Sequence, residues 1–218
     1  YEKSNRLGGV FIAAAAPSFK EKDKALIAWY EREVRKYPNI EIRLESYEND
    51  ALGLNADEVI IATGSKANKP PIPGIECGIQ AVDFLLGKEE VGENVTIIGG
   101  GLTGCEIAYE LYLQGKKPTI VEMMDDLIVT PGICLANTSF LRDFFEANKV
   151  PVYLETGVKE IKDGTVVAAK KDGTVVDVVI GEDENDPVIG LSDLLIHLSG
   201  EQMGKKASEV ITGEGLDI

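Results

Sequence analysis

VTIIGGGLTGCEIAYELYLQGKKPTIVE, residues 95–122, is the stretch that decides the fold. A short apolar run, Val95 to Ile98, leads directly into Gly99, Gly101 and Gly104 at G-x-G-x-x-G spacing. An amphipathic helical pattern follows, then a second apolar run, Pro118 to Val121, ending on Glu122. Strand, glycine turn, helix, strand and acid in that order make a complete mononucleotide-binding βαβ unit. Gly99 allows the tight turn out of the strand, Gly101 leaves room for a pyrophosphate at the backbone, and Gly104 lets the helix pack closely on the strand. The helix start turns free N–H groups and the positive dipole end toward phosphate.

Glu122 lies about 20 residues past the glycines, where such a unit places the acid that accepts the adenosine ribose hydroxyls. A 2′-phosphate there would meet Glu122, with Asp125 and Asp126 behind it, and no Arg or Lys follows within four residues. The sequence therefore predicts NAD(H) rather than NADP(H).

Outward from this unit the chain reads as α/β. Lys20 to Tyr37 carries Ala25, Leu26, Trp29, Tyr30 and Val34 at helical spacing, with Trp29 expected in the core. Ile40 to Leu44 alternates as a strand, and Asp57 to Gly64 reads as a buried strand ending at a glycine turn. Ser65 to Ile75 is a Pro-rich connector and a domain boundary. Ala81 to Leu86 and Thr138 to Asn148 read as helices, and Val150 to Leu154 as a strand. Gly157 to Ile180 holds three β runs separated by Asp163-Gly164 and Asp172-Gly173, a β-meander. Leu191 to Leu198 and Glu201 to Ile211 read as helices with no assigned role.

The 218 residues suffice for one large core or two small ones. A net charge of −15 makes nucleic acid and anionic membrane surfaces poor partners. Cys77, Cys105 and Cys134 lack dithiol spacing, which argues against a disulfide framework, a redox-active pair, a metal site or an iron–sulfur site in this chain. Cys105 reads as a small buried residue, and His197, the one histidine, as structural. With no signal peptide and no apolar run of membrane length, the expected location is cytoplasmic. The chain opens at Tyr1 without a Met, in what reads as mid-element, so a piece of a longer protein is expected.

The order of motifs resembles the two-dinucleotide flavoprotein reductases, the pyridine nucleotide–disulfide oxidoreductase superfamily. Residues 1–9, YEKSNRLGG, look like the segment after the second strand of an FAD-binding Rossmann-like unit. The resemblance implies that Glu2 takes the FAD adenosine ribose and that Gly8-Gly9 pass close to the cofactor. Ala62-Thr63-Gly64 resembles the turn ending that domain's outgoing strand, and Lys69 to Gly74 the crossover into the NAD unit. Leu7 to Phe19 and the run around Glu122-Met123-Met124 look most like the NADH:flavin oxidoreductases related to 2,4-dienoyl-CoA and 2-enoate reductases. In those proteins the module follows a barrel carrying FMN and an iron–sulfur cluster, and the parent passes hydride from NADH to FAD to reduce an enoate or dienoyl C=C bond. Glu106 is implied to position nicotinamide, and reads equally as a charge at a helix start.

The expected organisation is an incomplete FAD-binding Rossmann-like domain over 1–75, an NAD(H)-binding Rossmann-like domain with parallel sheet and β-meander over 76–180, and a tail over 181–218 of unassigned role, with a return to the FAD domain as one option. The superfamily's first glycine motif, for the FAD pyrophosphate, is not present before Glu2, and its late Gly-Asp motif is missing after Ile180. The expected function is thus the nucleotide-binding part of an NADH-dependent flavoprotein, against a binding module without chemistry of its own. A homo-oligomer stays open.

Overall fold

The computed structural model describes residues 1–47, 53, 56–65, 67, 69–162, 165–179 and 188–190. The helices expected within 191–211, and His197, lie outside the described residues. The chain divides into two compact units: Tyr1–Ala16 with Lys20–Lys66, and Pro17–Phe19 with the described residues from Ala67 on.

In the first unit, Gly8 and Gly9 take φ of 123° and 51° and lead into the short helix α1 (Val10–Ala14). Helix α2 spans Glu21–Val34, with Glu21 and Asp23 in its first turn and Arg32 in its last, each charge opposing the helix dipole. No residue of α2 is buried. Trp29 is 46% exposed and meets Tyr30 edge-on at 5.1 Å, so its expected place in the core is corrected. Helical spacing creates an apolar face, but burial needs a facing layer, and the described residues leave Trp29 half exposed. Two expected strands are corrected as well. Residues 40–44 form no ladder strand; the segment instead runs extended beside the N-terminus, through Glu2 N–H to Arg43 O, Ser46 N–H to Glu2 O and Glu45 N–H to Ser4 O, at 2.9–3.1 Å. Residues 57–64 are neither strand nor buried, and Ile60 is 90% exposed. A parallel strand exists only through bonds to its neighbours, and no backbone hydrogen bond between described residues reaches this segment.

The second unit is built on a parallel sheet. Its elements are β1 (Ile79–Gln80), α3 (Ala81–Leu85), β2 (Asn94–Ile98), α4 (Leu102–Leu113), β3 (Lys117–Val121), α5 (Leu135–Ala147) and β4 (Val152–Tyr153). The meander follows as β5 (Thr156–Lys162), β6 (Thr165–Lys170) and β7 (Val175–Val179), and β8 (Val188–Gly190) ends the described chain. The sheet order is β1-β8-β2-β3-β4, all parallel, with Ile97 in register with Ile120 on one side and Ile189 on the other. Residues 188–190, placed in the tail by the sequence reading, thus fill the gap between β1 and β2.

β2 is a near-continuous apolar run because both its faces are covered. Val95 and Ile97 pack with Ile107, Ala108 and Leu111 of α4 and Leu141 and Phe145 of α5. Ile98 and Val121 pack instead with Ile161, Val166 and Ala168 of the meander. Ile97, Ile107, Leu111 and Ile120 are fully buried, each contributing about 1.5–3 kcal/mol of transfer free energy. Pairing of Lys162 with Thr165 closes the first hairpin, and Gly173, at φ 88°, turns the second.

The connector Lys69–Gly74 docks on the meander. Ile161 N–H donates to Pro73 O at 2.9 Å, and a Cβ on Gly74 would lie 1.9 Å from Ile161 O. Residues 17–19 also belong to this unit: Ser18 N–H and Oγ both donate to the buried Glu110 Oε2 at 2.8 Å, and Phe19 packs on Tyr109. No helix among the described residues is long and apolar enough to cross a membrane.

Candidate nucleotide site

At the carboxyl end of β2 the chain turns at Gly99, whose φ of 112° suits glycine. Gly99 N–H donates to Val121 O at 2.9 Å, which fixes the turn beside the end of β3. Gly101 is the N-cap of α4, with no side-chain cap hydrogen bond, and the first helical bond runs from Cys105 N–H to Gly101 O. The amides of Leu102, Thr103 and Gly104 therefore have no carbonyl within the helix to receive them. They form the donor set that a pyrophosphate takes at such a helix start. Gly104 is buried against the sheet, and Cys105 is fully buried with its thiol donating to Gly100 O at 3.3 Å, as a small packing residue.

Glu122 is 6% exposed. Its Oε2 accepts Gly100 N–H at 2.5 Å and its Oε1 accepts Met124 N–H at 2.6 Å. The carboxylate thus closes the glycine turn against the end of β3. An ionised carboxylate offers about four lone-pair sites, so two amides leave it capacity for the two hydroxyls of a ribose. Met124, Asp125 and Asp126 beside it are exposed.

Gly100 was not singled out by the spacing rule, which counts it as the free position between two glycines. It is buried, and a Cβ on it would lie 2.5 Å from Leu127 Cδ2 and 3.0 Å from Glu122 Cβ. Its carbonyl also receives Ile128 N–H at 2.8 Å. The unbroken triplet of glycines was the available signal. Arg142 on α5 was also missed. Its Nε donates to Asp126 Oδ1 at 3.0 Å and its guanidinium to Leu127 O. A cation thus stands beside the acidic loop although none follows Glu122 in the next four residues. Asp126 Oδ1 accepts Leu127 N–H as well, at 2.7 Å.

Glu106 is half-buried and sits in the second turn of α4; the first turn holds no acid. This corrects its expected place at the very start of the helix.

The residues expected to serve FAD are less assembled. Glu2 Oε1 accepts Ser4 N–H at 2.8 Å, and that hydrogen bond is the main reason its carboxyl is held below the ordinary value of 4.5. Gly8 packs on Ile12, while Gly9 faces open space. Ala62, Thr63 and Gly64 are exposed, with Gly64 at φ 80°. No hydrogen bond between described residues joins them to Glu2, Gly8 or Gly9. The second unit fits a dinucleotide, with a glycine turn, a helix start and a carboxylate on one strand edge. The first fits FAD only in part, because among its described residues no glycine-rich turn opens a long helix that could take the pyrophosphate. Among the described residues no cluster of three or more His, Cys, Asp or Glu could hold a metal ion.

Comparison with known proteins bears on the family and the fold. Residues 31–186 match the pyridine nucleotide-disulphide oxidoreductase family. A cinnamate reductase of Clostridium sporogenes is 37% identical over 80% of this chain and 27% of its own length. An NADH oxidase of Thermoanaerobacter brockii is 30% identical over the whole of this chain and 33% of its own length. The solved structure of a 2-naphthoyl-CoA reductase with 2-naphthoyl-CoA superposes with a TM-score of 0.75 at 26% identity, over 88% of this chain and 28% of that one. The chain therefore spans 27% to 33% of the length of these curated relatives. The resemblance read from the sequence holds, the cofactors it implied, NAD(H) and FAD, are those of the family, and the chain belongs to the pyridine nucleotide-disulphide oxidoreductase family.

Proposed function

We propose that this chain is the NADH-binding part of a cytoplasmic, NADH-dependent flavoprotein oxidoreductase whose parent reduces an activated C=C bond of an enoate or dienoyl substrate. The observation that carries the reading is the buried Glu122 carboxylate, bonded to Gly100 N–H at the mouth of the glycine turn and keeping lone pairs for a ribose diol. The amides after Gly101 take the pyrophosphate, and Glu122 takes the adenosine ribose. When bound, NADH supplies a hydride from its nicotinamide ring. This chain's own residues bind and orient it; Glu106, one turn into α4, stands as the nicotinamide-side positioning group. A 2′-phosphate would meet Glu122 and the exposed Asp125 at short range, which disfavours NADPH.

The division into an FAD-binding portion over 1–75, an NAD-binding portion over 76–180 and a tail from 181 belongs to this proposal, with 188–190 rejoining the NAD sheet. Glu2, Gly8, Gly9 and Ala62-Thr63-Gly64 would hold the adenosine end and edges of FAD. A barrel domain with FMN and an iron–sulfur cluster would make up the remainder of the parent, consistent with a chain that spans 27% to 33% of its relatives' length.

The exposure of residues 57–64 favours a second reading, a nucleotide-binding module without chemistry of its own. Calorimetric titration with NADH and NADPH, with flavin quantified after denaturing extraction, tests both readings. NADH binding at least tenfold tighter than NADPH is expected, with substoichiometric FAD in the isolated chain. Equal affinities would sink the assignment of Glu122. Stoichiometric FAD would show that the site of the first unit is complete.

A further inference from the structure

We infer that Arg142 is a positioning residue for the nucleotide, acting on Glu122 by way of Gly100 and the loop Asp126–Ile128; this rests on the dinucleotide reading above. The loop holds a strained conformation. Ile128, a β-branched residue, has φ of 52° and is buried. Such a residue in the left-handed region persists only where its surroundings impose it. On one side Ile128 N–H is bonded to Gly100 O, and the Leu127 side chain closes over Gly100. On the other side Arg142 donates to Asp126 Oδ1 and to Leu127 O, the two groups immediately before the strained residue.

The chain of contacts is continuous. Arg142 holds the loop, the loop holds Gly100 by its carbonyl and its open face, and Gly100 N–H holds Glu122 Oε2. As an ion pair, Arg142–Asp126 contributes little to stability, since the side chains are 29% and 53% exposed. Its second bond, to a backbone carbonyl, makes it a clamp rather than a surface pair. A guanidinium spans both acceptors with its fixed fork, which an ammonium does not.

The double variant Asp126→Ala/Arg142→Met removes one negative and one positive charge together, so the net charge of the protein is preserved. NADH affinity should fall about 5- to 30-fold, the scale on which a displaced binding group is felt. NADPH affinity should change less than about twofold, because Glu122 does not assist NADPH, so the NADH-to-NADPH ratio falls. Each single variant should account for most of the NADH loss, and the two should be non-additive. Unchanged NADH affinity would overturn the proposal, as would equal losses for both nucleotides, which mark general loosening. A selective loss of NADPH would make Arg142 a phosphate ligand instead. Should the double variant not fold, Arg142→Lys carries the test: it keeps the charge but gives up Leu127 O, and about a threefold loss selective for NADH is expected. Wild-type chain that bound neither nucleotide would overturn the dinucleotide reading and this inference with it.

Discussion

Gly100→Ala is the substitution that tests the site most directly. The φ of Gly100 is not in the left-handed region, so alanine can adopt the backbone and the cost is steric. The new Cβ would lie 2.5 Å from Leu127 Cδ2, 3.0 Å from Glu122 Cβ and 3.2 Å from Glu122 Cγ. Leu127 Cδ2 is the far end of a flexible side chain and can swing, although into a packed core. Glu122 Cβ is rooted in the chain at the end of β3 and must shift by a few tenths of an ångström. Overpacking of this kind costs about 1–3 kcal/mol of stability.

The shift has a second effect. It moves the carboxylate that now accepts Gly100 N–H at 2.5 Å, and a hydrogen bond to a charged group is worth about 1.5–3 kcal/mol. If the same displacement spoils the bonds to the ribose hydroxyls, NADH affinity falls by about 10- to 140-fold. Calorimetric titration gives the affinity and urea denaturation the stability. Gly157→Ala on β5 is the control, since nothing lies within 4 Å of its Cβ and its φ is not positive; it should change stability by less than about 0.5 kcal/mol. Wild-type NADH affinity in folded Gly100→Ala protein would refute the link between the glycine turn, Glu122 and the nucleotide.

Glu122→Gln should weaken NADH binding about tenfold or more and lower stability by about 1–3 kcal/mol, because the amide NH2 must face either Gly100 N–H or Met124 N–H; titration and denaturation of this variant read both effects, and unchanged values in either would contradict the geometry. Gly74→Ala should destabilise the second unit by at least about 2 kcal/mol, since φ is 82° and the Cβ would lie 1.9 Å from a backbone oxygen, Ile161 O; a change within 0.5 kcal/mol in urea would contradict the docking of the connector on β5. Glu2 titrates below its ordinary 4.5 because it accepts Ser4 N–H. Its stabilisation is therefore present above that value and lost as pH falls through the lower folded value. Glu2→Gln should be less stable than wild type near neutral pH and converge with it in acid, and parallel pH–stability curves would show that the bond contributes nothing.

The nucleotide unit was legible because its signal is local. Strand, turn, helix and acid lie within 28 consecutive residues, from Val95 to Glu122, and the turn itself needs the positive φ of Gly99. The meander was legible for the same reason, through Asp172-Gly173 at its second turn, while Asp163-Gly164 lies outside the described residues. What escaped depends on partners distant in sequence. Among the described residues, 57–64 have strand composition but no backbone hydrogen bond to a neighbour, and Trp29 has helical spacing but stays half exposed. β8 is three residues long, too short for any periodicity, and is a strand only because β1 and β2 leave a gap of its width. Arg142 reaches Asp126 from a helix 16 residues on, so a rule that scans four residues past the acid could not find it.

Glu122 shows why an acid at the end of such a strand is weak evidence when taken alone. Its two amide bonds give it a purely structural use, since without it Gly100 N–H and Met124 N–H would lose their acceptor. A side chain serving only that purpose could be enclosed on all sides. Here the carboxylate joins a turn whose helix start has no capping side chain, and the loop past it exposes Met124, Asp125 and Asp126. The same bonds that hold Glu122 also hold Gly100 where a Cβ would collide. Structural closure of the loop and presentation of the acid are thus one arrangement. A variant that breaks the first must disturb the second, which is why the charge-balanced change at Asp126 and Arg142, neither of which bonds Glu122 directly, is read by the NADH-to-NADPH ratio rather than by affinity alone.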